Sequence, residues 1–184
     1  MRDADDPRFK QGFTLVELCV VLAVMAILAT FAAPSFIAWQ MRDQVDARSR
    51  ALFSTLSLAR AEAVRRGAHV TLCRIDASRD CLAVGRSCDN GVTDWSCGWG
   101  LFVERDGVST LLRMQPAMTS VSIAGTSPEL SFTPPAGQVI GGFRSFEFGP
   151  RGTDPAANAG ARRCVRLAAG GRARITTGSC GASA

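Results

Sequence analysis

The sequence predicts an α+β fold in which one long N-terminal helix packs on an antiparallel β-sheet. Two observations predict it: an uncharged apolar block that continues as a helical pattern to residue 66, and short alternating apolar and polar segments beyond residue 68. With 184 residues, 47% apolar and 20% charged, the chain has the length of about one domain and the composition of a folded protein. This length excludes a large multi-domain enzyme.

The apolar block is the first element. It extends from Leu18 to Met41 without a formal charge. As a helix it would span roughly 36 Å at 1.5 Å per residue, enough to cross the roughly 30 Å hydrocarbon core of a bilayer. A cleaved secretory signal would have a shorter apolar segment followed by a small-residue cleavage site, whereas here the polar-to-apolar junction precedes the block. We therefore predict a membrane helix over residues 13–41.

Two residues of this helix need an explanation. An ionised carboxylate in lipid costs several kcal/mol, so Glu17 is expected at the interface or beside a polar partner. Pro34 lacks a backbone N–H and predicts a kink in the helix.

The rest of the chain is predicted as one domain, 42–184, with a helix over 42–66 and mainly β-structure over 68–184. Apolar residues from Val45 to Val64 follow helical spacing, and Gly67 is expected to cap the helix. Asp106-Gly107 predicts a hairpin turn. The predicted strands are 68–73, 98–104, 110–114, 121–124, 129–132, 145–148, 164–167 and 172–176, and the predicted loops are 76–96, 133–142 and 149–160.

The start of the chain carries a recognisable motif. Gly12-Phe13-Thr14-Leu15-Val16-Glu17, followed by the apolar run and Pro34, resembles the class III signal of type IV pilins and pseudopilins. The resemblance implies that residues 1–12 are a leader cut after Gly12 by a prepilin peptidase, and that Phe13 is then N-methylated. It also implies that the helix leaves the inner membrane to form a filament core. A plain single-pass anchor with an incidental glutamate is the alternative.

The same resemblance gives Glu17 a role. In this family the matching acidic residue pairs with the N-terminal amine of a neighbouring subunit during assembly. The physics agrees, because a buried carboxylate and a buried ammonium can offset each other's desolvation only by meeting.

Three later segments narrow the resemblance. Residues 58–67, 95–107 and 148–152 are similar to the GspH/FimT family of minor pseudopilins and minor pilins. This implies a pilin-like fold and a single-pass inner-membrane protein whose C-terminal domain is periplasmic, with other pilins as partners and no cofactor. Two functions follow from it. One is a type IV pilus minor pilin that primes assembly at the tip, and the other is a minor pseudopilin of type II secretion that acts in protein secretion across the outer membrane.

The cysteines predict disulfides. Cys19 lies in the apolar block, and the other six fall in the domain that the leader topology places in the periplasm, where disulfides persist. Six cysteines allow 15 connectivities. We expect Cys164 to pair with Cys180, and the other four to pair among themselves around the loop at 76–96. Those four are Cys73, Cys81, Cys88 and Cys97.

Metal and catalytic sites have little support in the sequence. The cysteine spacing contains no Cys-x-x-Cys, and His69 is the one histidine, so zinc is disfavoured. Asp89-Asn90-Gly91 and Asp94 lack most of the ligands of a calcium loop and predict a turn instead. Without a glycine-rich phosphate loop, a nucleophile elbow or a recognisable carboxylate pair, we predict a non-enzymatic protein with no metal.

The C-terminal part of the chain is basic. From residue 144 onward it contains seven arginines against Glu147 and Asp154, a balance equal to the whole net charge of +5. In a strand, Arg172 and Arg174 would point to one face about 7 Å apart, close to the distance between successive phosphates of one nucleic-acid strand. Such contacts bind double-stranded DNA without reading its sequence. The candidate DNA-binding residues are Arg162, Arg163, Arg166, Arg172 and Arg174.

Gly171-Arg172-Ala173-Arg174 is similar to the Gly-Arg-x-Arg element through which FimT-like minor pilins of competent bacteria bind DNA. The alternative is a solvated face, or one that contacts acidic neighbours in a filament. No aromatic residue follows Phe148, so stacking of bases has no support in this tail.

Overall fold

Helix α1 spans Leu15–Arg66 and ends at a glycine, as the sequence predicts. The computed structural model describes residues 14–83, 85–88, 90–152 and 159–181, apart from the side chains at 32 and 34. At the start of α1, the Thr14 Oγ1 accepts a hydrogen bond from the Glu17 N–H at 3.2 Å, which caps the helix. At its end, Gly67 has a φ of +60°, the left-handed conformation that terminates helices.

The strands follow α1 in the described residues. They are β1 Val70–Arg74, β2 Gly98–Arg105, β3 Val108–Pro116, β4 Val121–Gly125, β5 Glu129–Thr133, β6 Gln138–Val139, β7 Arg144–Pro150, β8 Arg163–Leu167 and β9 Ala173–Thr177. A short 3-10 helix, Ala159–Ala161, precedes β8. All the predicted strands are present, with ends within two residues of the predicted ones. The turn at Asp106-Gly107 joins β2 to β3, with positive φ at both residues, as a two-residue hairpin loop requires.

The strands form two antiparallel sheets, whereas the sequence predicted one. The first has the order β3-β2-β1-β5-β6, and the second has the order β4-β7-β8-β9. They separate because β4 pairs with β7 and not with its neighbours in sequence, β3 and β5. Two predicted loops were also wrong in part. The segment 133–142 contains β6, which is too short to show an alternating pattern, and the segment 149–160 begins with the end of β7.

One hydrophobic core joins the C-terminal part of α1 to both sheets. The helix contributes fully buried side chains at Val45, Leu52, Leu56, Ala59 and Ala63, which lie on one helical face. The sheets and the loop before β2 contribute Trp95, Trp99, Phe132, Phe146 and Phe148. The α+β architecture predicted from the sequence, a long N-terminal helix packed on antiparallel sheets, is confirmed.

Arg48 is a buried cation in this core. Its guanidinium lies 4.3 Å from the centre of the Trp99 ring and donates hydrogen bonds to the Gln115 side chain, at 3.3 Å, and to the Pro116 carbonyl. Burial lowers the pKa of Arg48 to about 10, which still leaves it charged at neutral pH. Arg48 thereby ties the helix to β2 and β3.

The chain divides into two compact units between Trp39 and Gln40. Among the described residues, no single helix is long and apolar enough to cross a membrane. The segments Leu15–Phe31 and Ser35–Arg66 satisfy that test only when they are taken together, across a short break. Pro34 lies within that break, but its side chain is outside the described part, so its role in a kink stays a prediction.

Three disulfides are present among the described cysteines. Cys73 pairs with Cys81 and Cys88 with Cys97, so the long segment between β1 and β2 is cross-linked at both ends. Cys164 pairs with Cys180, the pairing that the sequence analysis expected. Each bridge typically adds about 2 to 4 kcal/mol to the stability of a small domain.

Candidate functional site

The hairpin of β8 and β9 carries the exposed part of the arginine cluster. Arg166 of β8 lies directly opposite Arg174 of β9, and both side chains are exposed. Their neighbours Val165 and Leu167 are buried on the other face of the sheet. Like charges directly opposite each other in a sheet repel, and a bound anion would relieve that repulsion.

Arg172 immediately precedes β9 and is exposed as well. Its carbonyl accepts a hydrogen bond from the Ala168 N–H at 3.0 Å, and the Gly171 N–H donates to the Ala168 carbonyl at 2.8 Å. The Val139 N–H, at the end of β6, donates to the Ala169 carbonyl at 3.0 Å. The turn that carries Arg172 is therefore held both by its own hydrogen bonds and by the other sheet.

The remaining two candidate arginines form ion pairs within the folded domain. Arg163 forms an ion pair with Asp46 of α1, with an Nη2 to Oδ2 distance of 3.2 Å. Arg162 forms an ion pair with Glu147 of β7, with an Nε to Oε1 distance of 2.9 Å. The five predicted DNA-binding residues thus form two groups: three exposed cations, and two that join β8 and its preceding turn to other elements.

A groove of about 400 Å³ runs along the exposed arginines. We call it the arginine groove. It is lined by Phe143, Arg166, Leu167, Ala168, Arg172, Arg174 and Thr176. None of these described lining residues is acidic. A second cavity of about 230 Å³ adjoins it and shares Phe143 and Arg166 with it.

Phe143 was missed by the sequence analysis, which found no aromatic residue in the C-terminal tail. It precedes β7 and reaches the groove because β7 and β8 are neighbours in the sheet. Its side chain is 79% exposed. The signal in the sequence was an aromatic residue that follows two glycines and precedes an arginine, Gly141-Gly142-Phe143-Arg144.

The loop that carries Phe143 has a defined conformation. Gly141 and Gly142 have φ values of +90° and +85°, which side chains other than glycine rarely adopt. The Arg144 guanidinium folds back over this loop and donates hydrogen bonds to the carbonyls of Gly141 and Phe143, the latter at 3.0 Å. Arg144 therefore positions the segment from which Phe143 projects.

Glu147 is the acidic residue closest in sequence to the residues that line the groove. Its charge is compensated by Arg162 and by a backbone N–H. Its Oε2 accepts a hydrogen bond from the Cys180 N–H at 2.9 Å, while its Oε1 faces Arg162. Burial opposes ionisation of this carboxyl, but the hydrogen bonds from Cys180 and Arg162 outweigh burial and lower its pKa. The Arg166 guanidinium donates to the Cys180 carbonyl at 2.7 Å, so the end of the chain and its disulfide also position Arg166.

Glu147→Gln is expected to lower the free energy of unfolding by about 1 to 3 kcal/mol, because the hydrogen bonds from Arg162 and Cys180 lose their anionic acceptor. Since folding lowers the pKa of Glu147, its contribution is present above the unfolded pKa and is lost as the pH falls through the folded pKa. Urea unfolding at pH 7 and in stepwise more acidic buffers measures both effects. Glu104→Gln, at an exposed position near the end of β2, is the control. If the free energy of unfolding of the Glu147 variant fell with pH as it does in the wild type, Glu147 would not be the source of that pH dependence.

The possible calcium loop of the sequence analysis has the contacts of a turn. Asp94 is buried, and its carboxylate accepts hydrogen bonds from the Asn90 N–H and the Ser96 N–H, each at 2.9 Å, and from the Ser96 hydroxyl at 2.6 Å. Asp89 lies outside the described residues. Within the described part of the chain, no group of three His, Cys, Asp or Glu side chains could hold a metal.

The N-terminal candidates are described only in part. Gly12 and Phe13 lie outside the described residues, so cleavage and methylation there stay predictions. Glu17 is exposed in the first turn of α1.

Two solved structures resemble this chain. The type IV minor pilin FimU of Pseudomonas aeruginosa has 18% sequence identity and a TM-score of 0.52, covering 71% of this chain and 91% of its own. The minor pseudopilin EpsH from the type II secretion system of Vibrio cholerae has 13% identity and a TM-score of 0.51, covering 78% of this chain and 99% of its own. At these identities the likeness shows the fold, which is that of pilins and pseudopilins. No curated protein sequence matches the chain.

Two family models match the sequence. The prokaryotic N-terminal methylation motif matches residues 7–33, and the type II transport protein GspH matches residues 48–171, more than half of the chain. The protein is thus a pilin-like component of a type IV pilus or of a type II secretion pseudopilus, with an N-terminal signal and helix that indicate membrane anchoring. The chain belongs to the GspH family. The family consists of structural components that assemble with other pilins.

Proposed function

We propose that this protein is a FimT-like minor pilin of a type IV pilus that primes assembly at the tip and binds double-stranded DNA for uptake. The observation that carries the proposal is the arginine groove, in which Arg166, Arg172 and Arg174 are exposed side by side with no acidic lining residue among those described. The protein acts without catalysis and without a cofactor.

The chemistry of the groove suits phosphate groups. Guanidinium groups donate paired hydrogen bonds to phosphate oxygens and stay charged at any physiological pH. Contacts of this kind fix a protein on DNA without reading its bases, and the affinity falls as salt rises because counterions are released. A protein that captures DNA of any sequence needs these properties.

The N-terminal segment supports the proposed route to the filament. A prepilin peptidase cuts after Gly12, Phe13 becomes the methylated N-terminus, and α1 anchors the protein as a single span of the inner membrane. The domain is then periplasmic, where the three disulfides are stable. Glu17 pairs with the N-terminal amine of the next subunit during assembly.

A GspH-like role as a minor pseudopilin in protein secretion across the outer membrane is the second candidate, and the description of the matching family model favours it. In that case the arginine groove contacts acidic side chains of a neighbouring pseudopilin. Deletion of the gene distinguishes the two roles. Loss of transformation and pili supports the first, and loss of secreted proteins from the medium supports the second.

Leader cleavage is tested by mass. The wild-type protein purified from cells with an active prepilin peptidase is expected to lack residues 1–12, whereas Gly12→Leu is expected to retain them because the cleavage site is blocked. Intact-protein mass spectrometry measures the difference. An identical mass for the two proteins, apart from the substitution, would refute the cleavage site.

DNA binding is tested with the full chain in a non-ionic detergent and a fluorescent duplex, followed by anisotropy. Arg172→Gln with Arg174→Gln is expected to weaken binding at least about tenfold at low salt, and to reduce the slope of log K against log salt by about 1.8, since two phosphate contacts are lost. Arg79→Gln with Arg105→Gln removes the same charge from exposed positions that do not line the groove and is the matched control. Absence of duplex binding at low salt, or equal effects of the two double variants, would count against the proposal.

A further inference from the structure

We infer that the arginine groove takes single-stranded DNA in preference to duplex, with a base stacked on Phe143 and the backbone phosphates on the arginines. This inference rests on the proposed function, namely that the groove binds DNA, and it specifies which form of DNA the groove binds more tightly.

The first support is the position of Phe143. Phe143 is 79% exposed and lines the same groove as Arg166, Arg172 and Arg174. Proteins that bind single strands combine a basic groove along the backbone with an aromatic side chain on which bases stack. The sequence separates these two components by more than twenty residues, and the pairing of β7 with β8 brings them together.

The second support is that the loop that carries Phe143 has an ordered backbone. The positive φ values of Gly141 and Gly142 turn the chain, and the Arg144 guanidinium fixes the turn by donating to two of its carbonyls. A Cβ at Gly141 would clash with that guanidinium. A loop that is already ordered loses little backbone conformational entropy when a base stacks on the ring that it carries.

The shape of the site is the third support. The groove of about 400 Å³ and the adjoining cavity of about 230 Å³ share Phe143 and Arg166 as lining residues. In a duplex the bases are stacked on one another and only their edges are accessible, so a ring in a groove wall has no base face to contact. In a single strand each base presents a face that can stack on the ring, and the adjoining cavity offers space for a neighbouring nucleotide.

The experiment compares a labelled oligo-dT strand of about 20 nucleotides, a duplex of equal length and an abasic strand of equal length, each titrated with the full chain in a non-ionic detergent. We expect the oligo-dT strand to bind at least about 5-fold more tightly than the duplex. Phe143→Ala is expected to weaken oligo-dT binding by about 5- to 150-fold. The same variant should leave the duplex and the abasic strand within about twofold of wild type, whereas Phe143→Trp should retain oligo-dT binding.

Ile140→Ala is the matched control. Ile140 is also apolar and exposed, at 62%, and it lies at the start of the same turn without lining the groove. Equal weakening by Ile140→Ala and Phe143→Ala would mean a general apolar contact, such as one with a lipid surface, and would overturn the inference. Because both side chains are exposed, neither change is expected to alter the thermal unfolding of the protein.

The outcomes separate the two proposals. One outcome is that the duplex binds through the arginines, that the oligo-dT strand binds no more tightly than the duplex, and that Phe143→Ala has no effect. In that case the inference fails and the proposed function stands. If neither form of DNA binds at low salt, both fail. A preference for oligo-dT that Phe143→Ala abolishes and Ile140→Ala leaves intact supports the inference.

Discussion

Gly171→Ala is expected to lower the free energy of unfolding by about 2 to 4 kcal/mol, and the melting temperature by about 5 to 15 °C. Gly171 is buried in the turn between β8 and β9 and has a φ of +74°. A Cβ there would clash with the Gly137 carbonyl oxygen and lie 3.2 Å from the Cδ of Arg60. Because the clash is with backbone, the turn has to move as a whole.

The adjacent glycine provides a matched control. Gly170 lies in the same turn and is exposed, and a Cβ there would meet no atom within 4 Å. Gly170→Ala is therefore expected to leave the stability within about 0.5 kcal/mol of wild type. Thermal unfolding of the full chain in detergent, followed by tryptophan fluorescence, measures both variants. Equal melting temperatures for the two variants would refute the packing argument.

The glycine and the arginines of the Gly-Arg-x-Arg element have separate roles. In this chain the glycine serves the close approach of the β8–β9 turn to the Gly137 turn and to α1, and the two arginines are the parts exposed to a ligand. Loss of DNA binding in Gly171→Ala would therefore report a displaced turn. The arginine variants alone test contact with DNA.

Glu17→Ala is expected to lower incorporation of the processed protein into filaments by more than about a hundredfold, while membrane insertion is kept. Removing one partner of a buried ion pair typically costs about 3 to 5 kcal/mol, because the other charge stays buried without compensation. Immunoblots of sheared filaments and of membranes, each normalised to total protein, measure the two pools.

The structure supplies a competing explanation, which two further variants separate. The Glu17 N–H donates to the Thr14 Oγ1, and glutamate three residues after a capping threonine stabilises a helix start by itself. Glu17→Gln keeps the capping ability and removes the charge, so it should be as defective as Glu17→Ala. Thr14→Ala removes the cap, at about 1 kcal/mol, and keeps the charge, so it should assemble far better. If Glu17→Gln were incorporated far better than Thr14→Ala, Glu17 would stabilise the helix start and would not pair with the neighbouring subunit.

The helix and the strand positions could be predicted from the sequence because their signals are local. The helical spacing that ends at Gly67 and the alternating segments after it depend on residues a few positions apart. Strand pairing depends on contacts between distant segments, so the division into two sheets, with β4 beside β7, could not be predicted. β6 escaped prediction because a two-residue strand has no period.

For the candidate site, the sequence identified the arginines but not which of them are exposed and which are paired with an acid. Arg162 and Arg163 lie at or just before the start of a strand, as Arg172 does. Nothing in the local sequence shows that Arg162 pairs with Glu147 and that Arg163 pairs with Asp46. The separation between Arg163 and Asp46 along the chain is 117 residues. An ion pair of that kind is decided only when α1 packs against the second sheet.

The sequence by itself determined the family resemblance, the long N-terminal helix, the strand-rich domain and a basic C-terminal end, because each is a property of composition or of neighbouring residues. The tertiary structure decided which cations are exposed and what lies beside them. It paired two arginines with acids, left three along a groove and placed Phe143 in the groove wall. The physical reason is that charge neutralisation and exposure depend on distances through space, and in this fold those distances are set by the pairing of β7, β8 and β9 and by their packing on α1.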